Sequence, residues 1–216
     1  YGPIVIDGFR VLGKGCDSVI VLSDRGGDLV SVKIRRMDSG VNSLTKEAEN
    51  LMFANAVGVG PRLIAYSTNI IIYEYINGIK LSDVLKEAPV NIVTLKKLLL
   101  DTLIQCYLLD RIGLDHGELS RAHEHILVRG DMERTVIIDF GNSSRFRKTR
   151  NVSSVSSFLF FSKNPLSNSL VKTLNIDRAL SLRYLRRYMA NMSWNTFIDY
   201  LRALNIIVNS GGAAGI

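Results

Sequence analysis

Lys33 lies between Val32 and Ile34 in an apolar stretch. A buried ammonium is costly unless a carboxylate pairs with it. Glu47 or Glu49, on the helical stretch that follows, can supply one, although strand alternation also permits Lys33 to face solvent. Upstream, Gly13-Lys14-Gly15-Cys16-Asp17-Ser18-Val19 separates two predicted strands. A P-loop and a dinucleotide fingerprint both need a helix N-terminus directly after their glycines, so both are excluded. What remains is a plain glycine turn, or a glycine-rich hairpin that folds over phosphates with its backbone N–H groups. Downstream, Val136-Ile137-Ile138-Asp139-Phe140-Gly141 brings an acid to the end of an apolar strand. Packing has no use for a carboxylate there, which leaves a helix cap or a metal ligand. Just before that strand, the stretch from His116 to Val128 gathers all three histidines, His116, His123 and His125, with Glu118 and Arg121.

Taken singly, each motif is a modest signal; their joint order is a strong one. In the sequence glycine loop, lysine, helix glutamate, polar loop, Asp-Phe-Gly, the chain resembles the protein-kinase-like superfamily. It is similar to small archaeal chains predicted to be Ser/Thr protein kinases, to the RIO kinases and to the small kinase of the archaeal tRNA-modifying KEOPS complex. Ala54-Asn55-Ala56-Val57-Gly58-Val59-Gly60-Pro61, Tyr73-Glu74-Tyr75-Ile76-Asn77-Gly78 and His116-Gly117-Glu118-Leu119 carry the likeness. It spans about residues 8–160, and no Ala-Pro-Glu follows Asp139.

The resemblance implies an α+β, two-lobed protein-kinase-like fold. A β-rich N-lobe would cover residues 1–78 and a reduced helical C-lobe residues 79–216, with a hinge near 75–79. It implies ATP and magnesium as cofactors. Gly13 and Gly15 would cover the phosphates, with Ser18 where a third glycine is usual. Lys33 would touch the α- and β-phosphates and pair with Glu47. Glu74 and Ile76, in the hinge with Tyr75, would offer backbone groups to adenine, and Asp139 would bind the metal. The departures fall in the catalytic loop. Glu118 stands where the base is usually aspartate, and His125 where the second metal ligand is usually asparagine. Magnesium prefers oxygen ligands and imidazole suits softer ions, so His125 binds no metal or shifts the preference toward manganese. Arg121 would replace the lysine that steadies the γ-phosphate, with a different reach.

These residues need elements to hold them. Short apolar runs at Phe9–Val11, Val19–Val21 and Leu29–Ile34 predict a three-strand meander, with a hairpin turn at 23–28. A helix is expected over about 44–56, ended by Gly58-Val59-Gly60-Pro61, then strands at 63–67 and 70–76. Ser82 is the expected cap of a short helix through Lys86. Residues 92–111 show a wide apolar stripe suited to a buried helix. Apolar runs at 126–128 and 136–140 form a hairpin. Helices are expected at about 176–190 and 194–208, the second capped by Ser193, and 211–216 reads as a tail.

Composition sets the frame. Apolar residues make up 47% and charged residues 22% of 216, which excludes global disorder and coiled coil. No run of ~18 uncharged apolar residues predicts a spanning helix, and no leader pattern predicts export. Cys16 and Cys106, far apart in apolar surroundings, fit a reduced cytoplasmic chain without membrane contact. The net charge of +7 is uneven: residues 1–78 are balanced, whereas residues 141–202 hold 11 basic against 2 acidic side chains. Arg145-Phe146-Arg147-Lys148-Thr149-Arg150 opens that region. It reads as a solvated loop or as a surface for an acidic protein, phosphate or RNA. Ser153, Ser154, Ser156 and Ser157 behind it are modification candidates. On about 176–190, Tyr184, Leu185 and Tyr188 read as the packing face, and Arg183, Arg186 and Arg187 as the basic one. The expected activity is phosphoryl transfer from Mg-ATP to a protein Ser/Thr hydroxyl. The alternatives are a catalytically impaired ATP-binding module, or a RIO-like ATPase or kinase acting on a ribonucleoprotein.

Overall fold

Gly26 and Gly27 form a two-residue turn in which both φ angles are positive (66° and 97°), the geometry whose twist matches that of the strands it joins. They connect β3 (Ser18–Arg25) to β4 (Asp28–Arg35), paired without a break from Ser18↔Arg35 to Arg25↔Asp28. The computed structural model describes residues 5–6, 8–87 and 90–208. It shows an α+β chain, a β-sheet region followed by helices, compatible with two lobes. The sheet also contains β1 (Val5–Ile6), β2 (Phe9–Lys14), β5 (Leu63–Tyr66) and β6 (Ile70–Glu74), in the order β1-β2-β3-β4-β6-β5. Helix α1 (Thr45–Asn55) lies in the chain between β4 and β5.

Strand pairing assigns the two faces of this sheet. Ile20 is opposite Lys33, so both share one face, while Val19, Val21, Val32 and Ile34 share the other. On that second face Phe9, Val11 and those valines line an apolar groove of about 590 Å³, which lies away from Lys33 and from the chemistry described below.

A second, three-stranded sheet pairs β7 (Gly78–Lys80) with β8 (Ile126–Arg129) and β8 with β9 (Thr135–Ile137). The helices of this part of the chain are α2 (Leu81–Glu87), α3 (Ile92–Arg111), the short α4 (Ala122–His125), α5 (Asn151–Ser156), α6 (Pro165–Thr173), α7 (Arg178–Ala190) and α8 (Trp194–Ala203), of which the first three pack on this sheet. The long α3 starts where Asn91 accepts the Thr94 N–H. Its Leu98, Leu99, Leu103, Cys106 and Leu109 are fully buried and organise the main core. A polar cluster ties α3 to β9. Gln105 donates to the Thr135 carbonyl at 2.8 Å, and Asp101 accepts the Thr135 N–H at 2.8 Å. The strand that leads to Asp139 is thereby fixed to the core helix. Among the described residues no helix is long and apolar enough to cross a membrane.

Several expectations need correction. Ser82 sits inside α2 rather than capping it; its hydroxyl donates to Asp83 at 3.1 Å. The strand expected over 136–140 ends at Ile137, because Asp139 takes a left-handed backbone (φ 68°) that leaves the ladder. The last helix stops at Ala203 instead of residue 208, turned by Asn205 at φ 55°. Three elements were not among those expected: α5, the π turn Ser157–Phe161 and α6. The third of these carries a start signal, Asn164-Pro165, in which Asn164 accepts the Ser167 N–H at 2.7 Å. Cys16 is exposed rather than apolar-packed, whereas Cys106 is buried; both are free thiols. Ser156 is fully buried, so it does not belong with the modification candidates. Ser193 caps α8, and Leu185 and Tyr188 pack inward, both as expected. The expected tail at 211–216 lies outside the described residues.

Candidate active site

Lys33 reaches the first turn of α1. Its Nζ lies 2.6 Å from Glu47 Oε1 and 3.1 Å from Asp139 Oδ1, across 14 and 106 positions of sequence. Of the two glutamates open to it, Glu47 is the partner. Lys33 and Glu47 are nearly enclosed, with side chains 9% and 11% exposed, while Asp139 is 42% exposed and faces outward. Burial works against the Lys33 charge, but the carboxylates of Glu47 and Asp139 outweigh it and hold the ammonium above its ordinary pKa. Burial likewise opposes the charge of Asp139, and Lys33 outweighs it, so that carboxyl titrates below its ordinary value.

Phe140 anchors Asp139. Its ring is fully buried, 5.1 Å edge-on from the His116 ring. Gly60 (φ 83°) lets it in: a Cβ there would sit 2.9 Å from Phe140 Cε2 and 2.9 Å from Leu51 Cδ1. Asn50 of α1 donates to the Ser143 carbonyl at 3.0 Å, tying the segment after Asp139 to the helix that carries Glu47.

The polar loop is held from below. His116 is fully buried, and its Nε2 lies 3.0 Å from the Ile138 carbonyl, a structural role beneath the loop. Its backbone N–H donates to Asn151 Oδ1 at 2.8 Å, and Asn151 in turn donates twice to Asp110 Oδ1, from N and Nδ2, each at 2.8 Å. The Tyr188 hydroxyl and the Val152 N–H reach the other Asp110 oxygen at 2.9 and 3.2 Å. This hub was not identified from sequence. A signal existed: Asp110 falls seven residues after Leu103 and four after Cys106, on the apolar stripe of α3, where a carboxylate must be buried and bonded.

Burial pushes the His116 imidazole down to about 4, although the Ile138 carbonyl favours its charged form. An unfolded histidine takes up its proton near 6.5. The stabilisation is therefore complete above pH 6.5 and is lost as pH falls toward 4, because the unfolded chain binds a proton that the folded chain refuses. Denaturant unfolding of the metal-free chain at pH 6.5 and 5 should show a loss of about 2 kcal/mol. A His116→Asn variant should be less stable at pH 6.5 and lack that slope. A flat wild-type profile would contradict the assignment.

Gly117 (φ 90°) turns the chain from His116 to Glu118, and a Cβ there would clash with the Arg147 guanidinium at 2.4 Å. Arg147 is itself held by Asp115, Nε to Oδ2, at 2.9 Å. The loop thus delivers Glu118 beside Asp139. One oxygen of Glu118 pairs with Arg121, and the other lies 3.8 Å from His125 Nε2. Glu118, His125 and Asp139 each offer a ligand atom, all within 4.8 Å of one another. His123 is not among them; its ring stacks on Phe158 at 5.5 Å.

The glycine hairpin joins β2 to β3 of the same sheet. Gly15 N–H closes its turn on the Ser18 carbonyl at 2.9 Å, and Arg36 donates to the Gly15 carbonyl at 3.1 Å. Neither Gly13 nor Gly15 has a positive φ, and a Cβ on either would meet only ordinary contacts at 3.8 Å. Local conformation does not demand glycine here; close approach of a ligand to the backbone would. At the expected hinge, Glu74 pairs with Arg129 of β8, Ile76 is buried, and the Gly130 N–H donates to the Asn77 carbonyl at 3.0 Å. The Glu74 N–H is bound to the Arg62 carbonyl at 3.0 Å. The structure thus joins Lys33, Glu47 and Asp139 directly and sets Glu118, Arg121 and His125 beside them. No protein-family model matches the chain, and no curated protein matches it.

Proposed function

We propose that the chain is an ATP-dependent phosphotransferase of protein-kinase-like fold that moves a phosphoryl group from ATP to a Ser/Thr hydroxyl of a protein. The observation that carries this reading is the Lys33–Glu47–Asp139 network. A buried lysine between an internal carboxylate and a half-exposed one suits an anchored cation facing an anionic ligand. Its strand, helix and loop arrive in the order that the Asp-Phe-Gly resemblance implies.

In this reading Lys33 contacts the α- and β-phosphates and Glu47 fixes its direction. Gly13 and Gly15 let the hairpin backbone close on the phosphates, and the Glu74 carbonyl and Ile76 N–H face adenine. Asp139 fits a divalent ion such as magnesium, since Oδ1 is shared with Lys33 and its side chain opens outward. When bound, that ion neutralises phosphate charge. Glu118 lies on the acceptor side, and Arg121, paired with it, adds positive charge beside the γ-phosphate. Such transfer rests on positioning and charge neutralisation more than on proton abstraction, so a glutamate in place of aspartate is compatible with it.

In this reading the acceptor is an acidic protein segment, and the basic surface that follows Asp139 supports that choice. Arg145, Lys148 and Arg150 are exposed beside Phe146, which is 95% exposed, and Arg183, Arg186 and Arg187 are exposed on α7. The same surface supports a second reading, a kinase or ATPase working on a ribonucleoprotein. RNA binding that weakens steeply with salt would favour it.

Titration with a fluorescent ATP analogue and magnesium tests the nucleotide site. Saturable binding is expected, weakened at least ~10-fold in Lys33→Met, about 1.4 kcal/mol. Circular dichroism of the variant separates lost binding from lost fold. No binding by the wild type would refute the proposal.

A further inference from the structure

His125 is the feature that phosphate chemistry leaves unexplained. Its residue is 6% exposed, and neither ring nitrogen has a hydrogen-bond partner among the described residues. Buried polar side chains are ordinarily satisfied. The Nε2 atom is nevertheless aimed: it lies 3.8 Å from Glu118 Oε2 and 3.8 Å from Glu124 Oε2. Those distances are too long for hydrogen bonds and suit two groups facing a shared third partner. Asp139 completes the set, with all three ligand atoms of Glu118, His125 and Asp139 inside 4.8 Å.

From this geometry we infer that Glu118, His125 and Asp139 form a binding site for a divalent first-row transition ion, which the chain holds without nucleotide. An ion about 2.0–2.2 Å from each ligand needs ligand atoms roughly 3–3.5 Å apart. Small side-chain torsions achieve that contraction, because Asp139 is half exposed and Glu118 pivots on its outer oxygen. The donor set decides the metal class. Two carboxylates with one imidazole suit manganese, iron(II) or zinc, while magnesium demands oxygen and keeps its waters.

The inference deepens the proposed function and shares Asp139 with it. It reassigns the inner Glu118 oxygen from acceptor alignment to metal ligation and leaves the outer one with Arg121. A protein that only binds or transfers phosphate through magnesium does not require the site, and a metal site does not require transfer.

The test is a titration of the full chain with Mn²⁺ alone, followed by electron paramagnetic resonance, in which bound Mn²⁺ loses the sharp six-line signal of the free ion. One equivalent is expected to bind without nucleotide, more tightly than Mg²⁺ in competition. His125→Leu, which removes the imidazole without adding an oxygen donor, should weaken Mn²⁺ by at least ~10-fold and affect Mg²⁺ far less. Glu118→Gln should weaken Mn²⁺ similarly and serves if the His125 variant does not fold. Wild-type affinity for Mn²⁺ no better than for Mg²⁺, or variants that bind Mn²⁺ as the wild type does, would overturn the inference. ATP-analogue binding measured with Mg²⁺ on the same samples keeps the two ideas apart. Analogue binding without Mn²⁺ binding sinks only the metal site, and Mn²⁺ binding without analogue binding sinks only the phosphotransferase.

Discussion

Asp139→Asn should lower phosphoryl transfer by about 10²–10³-fold, the loss expected when one preorganised electrostatic group leaves a reacting centre. The variant isolates chemistry from folding unusually well. Asp139 adopts φ 68°, a region that asparagine enters more readily than other non-glycine residues, so the backbone turn survives. Its side chain is 42% exposed, so no carboxylate-sized hole opens in the core. Lys33 keeps Glu47 at 2.6 Å and stays charged. What disappears is the negative charge that faces outward beside Glu118 and His125. The check is initial-rate transfer with γ-labelled ATP, alongside thermal unfolding. A variant that unfolds like the wild type and transfers within tenfold of its rate would show that Asp139 does not hold the reacting metal.

Asp110→Ala should cost about 3–5 kcal/mol of stability, because four buried donors lose their acceptor together. The Asn151 N–H and Nδ2 at 2.8 Å, the Tyr188 hydroxyl at 2.9 Å and the Val152 N–H at 3.2 Å all end on this one carboxylate. For a chain of this size the loss corresponds to a fall in Tm of roughly 6–20 °C. The effect should extend beyond stability, since Asn151 also accepts the His116 N–H and so positions the loop before Glu118. Tyr188→Phe removes one of the four bonds and should cost only about 1 kcal/mol. Equal losses in the two variants would mean that Asp110 is not the hub, and an Asp110→Ala chain as stable as the wild type would refute it outright.

Much of this was legible in the sequence, and the reasons differ by element. The meander and its Gly26-Gly27 turn announce themselves because strand alternation and paired glycines are local properties. Helix α3 follows from an apolar stripe twenty residues long. Lys33, Glu47 and Asp139 come together as the motif order implied, at 2.6 and 3.1 Å. Helix α5 and the π turn were missed because Asn151–Phe161 mixes serine with an unbroken run of apolar residues and shows neither strand nor helix period. The Asp110–Asn151–His116 chain was missed for another reason: its members lie 41 and 35 positions apart, and no local pattern encodes such a bond. Placing Glu118 within ligand distance of His125 likewise depended on Gly117 at φ 90° and on the short α4, details that periodicity does not resolve.

The basic excess takes a sharper meaning in the structure. The 11-to-2 balance of residues 141–202 begins directly after Asp139 and is exposed along the 145–150 loop and α7, so charge and candidate chemistry adjoin. Lowering ionic strength should therefore favour acidic acceptors over neutral ones.

The most direct measurement is the fate of the γ-phosphoryl group. Wild-type chain is incubated with γ-labelled ATP, an acidic Ser/Thr-containing protein and either magnesium or manganese, and the label is followed to acid-stable hydroxyl esters. Label on serine or threonine is expected, dependent on the metal and absent in Asp139→Asn. ATP that binds but yields no protein-bound label with either metal would contradict the proposed transfer and leave a nucleotide-binding module without it.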